Sequence, residues 1–395
     1  MNTEAQTPTH AAILKRWQAL TTHLTTEFHK PDIEALEVAL SAAAAHYCIQ
    51  QDPVWLFVVG PSSSGKTSVV ITALEGFGQD ALTMGDLTPK TFISHFQGQG
   101  GKSKGLLHDI GKHKILLWKD FTTFISKKDD DKLSIGSQLR EIYDGKIVRH
   151  TGVGAEPEWE GLITIVAAAT PAIERAWSIM RDLGERFVMV RWPYLGESEI
   201  ARVANKQRGR EREIAATTRR LTHEFIMPSR LMVRGNFGPL PDETLDRVIS
   251  YAQLTARLRG HVIRDSHGSR EIIDVPSIEE SGRLSKTLGL LVSAHAALWE
   301  REPGLDDLRI AKRVALDSIP ERRRRVFECI PDGSSISRME VARLTEIPPA
   351  TVLWIAQELQ ALGVIELVTD GIGESMMSFT PKFARTKAAA FPSTL

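Results

Sequence analysis

The run Gly60-Pro61-Ser62-Ser63-Ser64-Gly65-Lys66-Thr67 matches G-x-x-x-x-G-K-[ST] in full, the spacing of a loop that wraps a polyphosphate. Glycines at both ends let the backbone curl until several N–H groups face one anion. Lys66 is then placed to reach the β- and γ-phosphates and Thr67 to offer its hydroxyl to Mg²⁺, with Ser68 opening the helix behind them. A chance Gly- and Ser-rich turn has the same letters. Context separates the two readings, because Val54 to Val59 reads as a buried strand and Ser68 to Leu74 as helix-compatible.

A carboxylate stands where a metal-assisted reaction needs one. Ile115 to Trp118 is an apolar strand that ends in Lys119-Asp120-Phe121. Two acids in succession are the usual arrangement after such a strand, one supporting Mg²⁺ and one polarising water. Here Asp120 alone is available, for the hydrated metal or for the attacking water, and Asp86 or Asp109 could complement it. The plainer alternative is an exposed acid at a strand end. Thr170 closes the strand Leu162 to Ala169, where strand ends of a parallel sheet converge on a ligand. With Pro171 behind it, Thr170 also reads as an ordinary helix N-cap.

The order of these marks resembles the AAA+ superfamily: the Gly60–Thr67 loop, the Asp120 strand, the Thr170 strand end and Gly184-Glu185-Arg186-Phe187 follow Walker A, Walker B, sensor 1 and arginine finger. Lys119-Asp120-Phe121-Thr122 and Gln138 to Gly145 are similar to the minichromosome-maintenance-like helicases of phages and mobile elements. The likeness covers roughly Leu56 to Pro193. It implies ATP and Mg²⁺ as cofactors, a homo-oligomeric ring, and Arg186 reaching the γ-phosphate of a neighbouring subunit. A salt bridge of Arg186 to Glu185 or Asp182 is the alternative. It further implies that the hairpin read between Tyr143 and Gly161 grips DNA through Lys146, Arg149 and His150. An ordinary surface hairpin has the same pattern.

The elements that must position these residues follow from periodicity. Helices are expected over Ala11 to Phe28 and Asp32 to about Tyr47. From Val54 to about Pro193, short apolar runs (Ala81 to Met84, Ile115 to Trp118, Leu162 to Ala168, Phe187 to Trp192) alternate with helical segments, the pattern of a parallel sheet covered by helices. Helical spacing continues through Gly196 to Phe225, Leu245 to Arg259, Ser277 to Glu300 and Leu305 to Ile319, with a loop or small hairpin over His261 to Pro276.

After Pro320 come helices Arg322 to Ile330, Arg338 to Thr345 and Ala350 to Leu362, then strand-like Val364 to Val368 and Met376 to Phe379 around Thr369-Asp370-Gly371. Three helices and a hairpin make a winged helix-turn-helix. Its third helix presents Thr351, Trp354, Gln357, Glu358 and Gln360 outward, a face poor in Arg and Lys. DNA contact would lean on Arg322 to Arg325, Arg338, Arg343, Lys382, Arg385 and Lys387, and a protein partner is the other reading. Arg202, Lys206, Arg208, Arg210, Arg212, Arg219 and Arg220, interrupted by acids, read as a solvated helix face. The expected fold is thus α/β: N-terminal helices over 1–50, an AAA+ P-loop core over 51–195, a helical lid or linker over 196–319 and a winged helix-turn-helix over 320–395.

Composition sets the outer limits. With 395 residues, 42% apolar and 25% charged, the chain reads as globular with two or three domains rather than disordered or fibrous. Lys+Arg and Asp+Glu balance at 49 each, so nucleic-acid binding must come from local patches. Cys48 and Cys329 lie far apart and suit buried thiols in a reducing compartment. No secretion signal or membrane-length apolar stretch is visible, so a cytoplasmic protein without membrane contact is expected. The leading functional expectation is an ATP-hydrolysing motor acting on DNA, a helicase or replication initiator. The other is an ATP-dependent regulatory switch whose winged helix binds an operator or a protein. A small-molecule kinase would leave the long helical C-terminal half unexplained.

Overall fold

Trp55-Leu56-Phe57-Val58-Val59 forms a strand buried at every position, which is what a run of Val and aromatic residues does when both faces of a sheet are covered. In the computed structural model this strand, β1 (Trp55–Val59), lies inside a five-stranded sheet with β2 (Ala81–Met84), β3 (His113–Trp118), β6 (Leu162–Ala169) and β7 (Phe187–Arg191). The order is β2-β3-β6-β1-β7 and every pairing is parallel. The structure describes residues 10–47, 52–92, 105–151, 154–176, 186–194, 196–233, 238–265, 271–276, 278–371 and 373–392.

Strand periodicity sends alternate side chains to opposite faces. Trp55, Phe57, Leu116, Trp118, Ile163, Ile165, Phe187 and Met189 join one buried cluster with Ile135, Leu139 and Ile142 of α6 (Asp129–Tyr143). Phe57 and Phe187 stack at 3.9 Å between centroids, and Phe121 meets Phe57 edge-on at 4.7 Å. Truncating one such ring to Ala costs about 3–5 kcal/mol. The other face is covered by α2 (Ile33–Ala44), which packs on β1, β6 and β7 and follows α1 (His10–Glu27).

Between β1 and β2 the chain runs through a wide π-type turn, Thr67–Ile71, and a short α3 (Thr72–Leu74). Before β3 comes α4 (Leu106–Ile110), and after it α5 (Thr122–Ile125). The hairpin β4 (Lys146–Thr151) and β5 (Gly154–Glu160) is antiparallel and stands directly before β6, as its alternation indicated. Past β7 follow α7 (Glu197–Gln207) and α8 (Glu211–Val233). The arginines here are mostly neutralised within the fold: Arg202 pairs with Glu199, Arg210 with Glu27, Arg219 with Glu75 and Arg220 with Glu224.

Contacts divide the chain into two units, Met1–Pro239 with Leu290–Ile310, and Leu240–Gly289 with Ala311–Leu395. The stretch 196–319 contributes to both. The second unit holds α9 (Asp242–Leu258) and a small antiparallel pair, β8 (Ile263–Arg264) with β9 (Ile272–Asp274). Helices α10 (Gly282–Leu298) and α11 (Leu308–Asp317) have residues in each unit. Then come α12 (Glu321–Cys329), β10 (Ile336–Ser337), α13 (Arg338–Thr345), α14 (Pro349–Ala361), β11 (Ile365–Thr369), β12 (Ser375–Phe379) and α15 (Pro381–Ala390). The last three strands pair antiparallel in the order β10-β12-β11. The first strand and last helix of this group went unread, because two residues and a Lys- and Ala-rich run carry little periodic signal. Cys329 is a free thiol and half-buried rather than buried, while Cys48 lies outside the described residues. Among the described residues no helix is long and apolar enough to cross a membrane.

Candidate functional site at the strand ends

Gly60 leaves β1 with its N–H donating to Ala169 O at 3.0 Å, so the loop that follows starts at the carboxyl edge of the sheet. The loop needs glycine at both ends for different reasons. A Cβ on Gly60 would sit 2.7 Å from Trp192 Cβ, a distance no side chain tolerates. Gly65 has φ +83°, and Ser63 adopts φ +58°, the left-handed region that curls successive amides inward. Ser62 and Ser63 are exposed, Ser64 and Lys66 are buried, and Pro61, Gly65 and Thr67 are half-buried while Ser68 is exposed. Ser64 Oγ is buried without a hydrogen-bond partner among the described residues.

Lys66 spans the loop, its Nζ donating to Pro61 O at 2.8 Å. Burial holds its pKa below the ordinary lysine value, opposed by the attraction of Asp120. A buried ammonium within such a loop is a strong attractor for an anion.

Register brings the next groups to the same edge. Val59 is level with Ala169 and Trp118 with Ala167, so Asp120 and Thr170 emerge beside the loop, Thr170 on the strand between β1 and β3. Two strand spacings, roughly 10 Å, separate the ends of β1 and β3, a gap that a phosphate chain with a hydrated cation can bridge. The exposed Asp120 accepts from Thr122 N–H at 2.9 Å. Thr122 Oγ1 in turn lies 3.2 Å from Thr170 Oγ1 and receives Thr170 N–H at 3.3 Å. Thr122 is thus a member of the site that the sequence named only as part of a run. A polar residue two positions past the strand acid was the available signal. Lys119, where a first acid is commonest, is exposed and anchored by its N–H to Met84 O.

Of the two acids weighed as complements, Asp86 follows β2 at the same edge. Its carboxylate is held low by a hydrogen bond from Lys127 at 2.8 Å. Asp109 sits on α4 ahead of β3, at the opposite edge, and is not brought to the site. Among the described residues no group of three or more His, Cys, Asp or Glu could hold a metal by itself. A cation here would take Thr67 and Asp120 as protein oxygens and draw the rest from phosphate and water, the usual habit of Mg²⁺.

Arg186 directly precedes β7, level with Val54, which puts it roughly 20 Å along the strands from Gly60. It pairs with Asp144 at 3.0 Å and covers the Tyr143 ring at 5.2 Å, its side chain 10% exposed. Asp144 is its ion-pair partner among the described residues; Glu185 and Asp182 lie outside them. Lys146, exposed at the base of the β4–β5 hairpin, is at that same far edge, paired in register with Glu160. Arg149 and His150 lie in β4, but their side chains are outside the described residues.

Beside the loop is a cavity of about 160 Å³ lined by Phe28, Pro31, Val69, Trp192, Ile200 and Val203 and by the polar His29, Ser63, Ser64, Ser68 and Gln207. Its elements are tied together: Gln207 donates to Glu27 O at 2.6 Å, and Trp192 Nε1–H to Ser64 O at 3.0 Å. Its mixed lining suits a planar ring with polar edges, joined to an anion at the loop.

In the second unit, α14 does not present the face expected of it. Arg264 of β8 donates to Trp354 O at 2.6 Å, Gln357 Oε1 at 3.3 Å and Glu358 Oε1 at 3.1 Å. Arg323 holds the other oxygen of Glu358 at 2.9 Å. Trp354, Gln357 and Glu358 are half-buried as a result, and Gln360 stays exposed. Several flanking cations are engaged within the unit too: Arg324 with Asp317 and Glu328, Arg325 with Thr345 O, Arg338 with Glu374, Arg343 with Glu340 and Lys387 with Asp332. No family model and no curated protein sequence matches the chain.

Proposed function

We propose that the chain binds and hydrolyses Mg-ATP as an AAA+ ATPase and acts on DNA as a homo-oligomer. One observation carries the reading. The Gly60–Thr67 loop, Thr170 and Asp120 emerge side by side at one sheet edge, next to a cavity. The loop amides and Lys66 would hold the β- and γ-phosphates, Thr67 and Asp120 the Mg²⁺, and the cavity the base. Bound Mg²⁺ supplies charge neutralisation on the phosphates. Thr122 and Thr170 keep a hydroxyl pair beside Asp120, the place from which an attacking water could be oriented.

Arg186 and the hairpin share the far edge, so Arg186 serves a phosphate only if that phosphate belongs to another copy. DNA as partner rests on Lys146, Arg149 and His150 of the hairpin and on the three-helix, three-strand group of the second unit, which we read as a winged helix.

Steady-state ATP hydrolysis with and without single- and double-stranded DNA is the test, with Lys66→Ala and Asp120→Asn alongside. DNA-stimulated turnover lost in Lys66→Ala is expected, together with Asp120→Asn that still binds nucleotide but turns over about 10–100-fold more slowly. Equal hydrolysis by Lys66→Ala and wild type would refute the site. A second reading, an ATP-dependent switch, is favoured by the engagement of α14 with Arg264 and Arg323. It predicts slow turnover indifferent to DNA.

A further inference from the structure

Trp192 follows β7 and meets the end of β1 once and the loop twice. Its N–H donates to Val59 O at 2.7 Å, the last residue of β1. Its Cβ lies where a side chain on Gly60 would have to be. Its indole Nε1–H reaches Ser64 O at 3.0 Å, in the middle of the loop. Only 4% of Trp192 is exposed, and the same ring forms a wall of the 160 Å³ cavity.

We propose that Trp192 is the positioning residue of the Gly60–Thr67 loop, coupling its curl to the occupant of the adjoining cavity; the inference rests on the nucleotide reading above. The physical reason is economy of contacts. In a trans peptide Ser64 O is antiparallel to the Gly65 N–H, so fixing the oxygen fixes the direction of that amide. A buried carbonyl deprived of its donor would turn to find another, and the amide of Gly65 shares that peptide plane. Since the ring that donates also walls the cavity, a heteroaromatic base packed against it holds the donor in place. A base-bearing polyphosphate is then gripped by a loop of better-defined shape than an inorganic one. The glycine at position 60 is explained by the same residue, because the indole arm crosses the chain there.

The test uses the full chain and three proteins: wild type, Trp192→Phe, which keeps a ring and deletes the donor, and Trp192→Leu, which also removes the flat wall. Calorimetric affinities for Mg-ATP and for Mg-tripolyphosphate are measured with kcat and KM. Trp192→Phe is expected to weaken tripolyphosphate about tenfold and ATP more, since ATP also loses the donor held by its base, and Trp192→Leu to widen that difference. Wild-type affinity for both ligands in Trp192→Phe overturns the proposal, as does a loss confined to ATP.

Hydrogen exchange on wild type covers the case of variants that do not fold. Mg-tripolyphosphate alone should slow exchange in the peptide carrying Trp192 as well as in the one carrying Gly60 to Thr67, and protection confined to the loop peptide overturns the coupling. Wild type that binds neither ligand brings down the nucleotide reading itself, whereas wild type that binds ATP beside an indifferent Trp192→Phe brings down the role of Trp192 alone.

Discussion

The hydroxyls of Thr122 and Thr170 lie 3.2 Å apart, bridging two strand ends 48 residues apart in sequence, while the Thr122 N–H is given to Asp120. The carboxylate and the hydroxyl at the end of β6 are therefore one hydrogen-bonded assembly. Thr122→Val keeps the backbone donor and the side-chain shape but removes the bridge. Turnover is expected to fall about tenfold with nucleotide affinity unchanged, since a hydrogen bond near the reacting groups is lost and the loop is untouched. Single-turnover hydrolysis with a parallel binding titration checks it.

Arg186 and Lys66 stand at opposite edges of the sheet. If Arg186 acts on a neighbour's phosphate, a subunit lacking Lys66 still donates a good arginine and one lacking Arg186 still offers a good loop. Mixing Lys66→Ala with Arg186→Ala, each inactive alone, is then expected to recover part of the wild-type turnover. Recovery should depend on total protein concentration, and its absence in a mixture shown to co-assemble would assign Arg186 to its ion pair with Asp144.

Burial depresses the pKa of Lys66, and a bound polyphosphate favours the charged form and moves it back up. Binding should therefore take up a proton at alkaline pH. Affinity falls as pH climbs through the depressed value of the free protein toward 10.5, the ordinary lysine value. Calorimetry in two buffers of different ionisation enthalpy measures the uptake, and Lys66→Arg, charged throughout, should abolish it.

His46 is buried against Tyr47 and His113, and its pKa is pushed down from 6.5 to about 4 by burial, then by the charges of His113 and Lys114. The folded chain takes up this proton less readily than the unfolded one. Its contribution is full above pH 6.5 and is lost as pH falls toward 4, about 3 kcal/mol over that window. Urea midpoints from pH 7.5 to 4 should decline, and His46→Gln should decline less steeply.

Arg264 binds Trp354, Gln357 and Glu358 of α14. Loss of a cation ordinarily weakens DNA binding. If α14 reads DNA once uncovered, Arg264→Ala should instead tighten it, and this reversal of sign is diagnostic. Fluorescence anisotropy across a salt series measures it; weaker binding in Arg264→Ala would make the arginine a phosphate contact.

Much of the architecture was legible in the residues themselves. Continuous apolar runs announced β1, β3, β6 and β7, whose central positions are buried, and the shorter run of the half-buried edge strand β2, while alternation with glycine announced the β4–β5 hairpin. The loop glycines and Lys66 were legible because an anion cradle is local, assembled from eight consecutive residues. Trp192 and Thr122 were not, since their importance comes from partners 128 and 48 residues away, which only strand register brings within 3.0–3.3 Å.

Periodicity alone left Trp354, Gln357 and Glu358 facing outward, because a helix's own pattern marks the side it packs toward the nearest core and is silent about a second element laid across the other side. Tertiary structure decided that face through Arg264 and Arg323. It also decided the edge on which each charged residue stands. Asp120 and Asp109 look alike in sequence, yet one follows β3 and the other precedes it, and in a parallel sheet that difference is the full length of a strand.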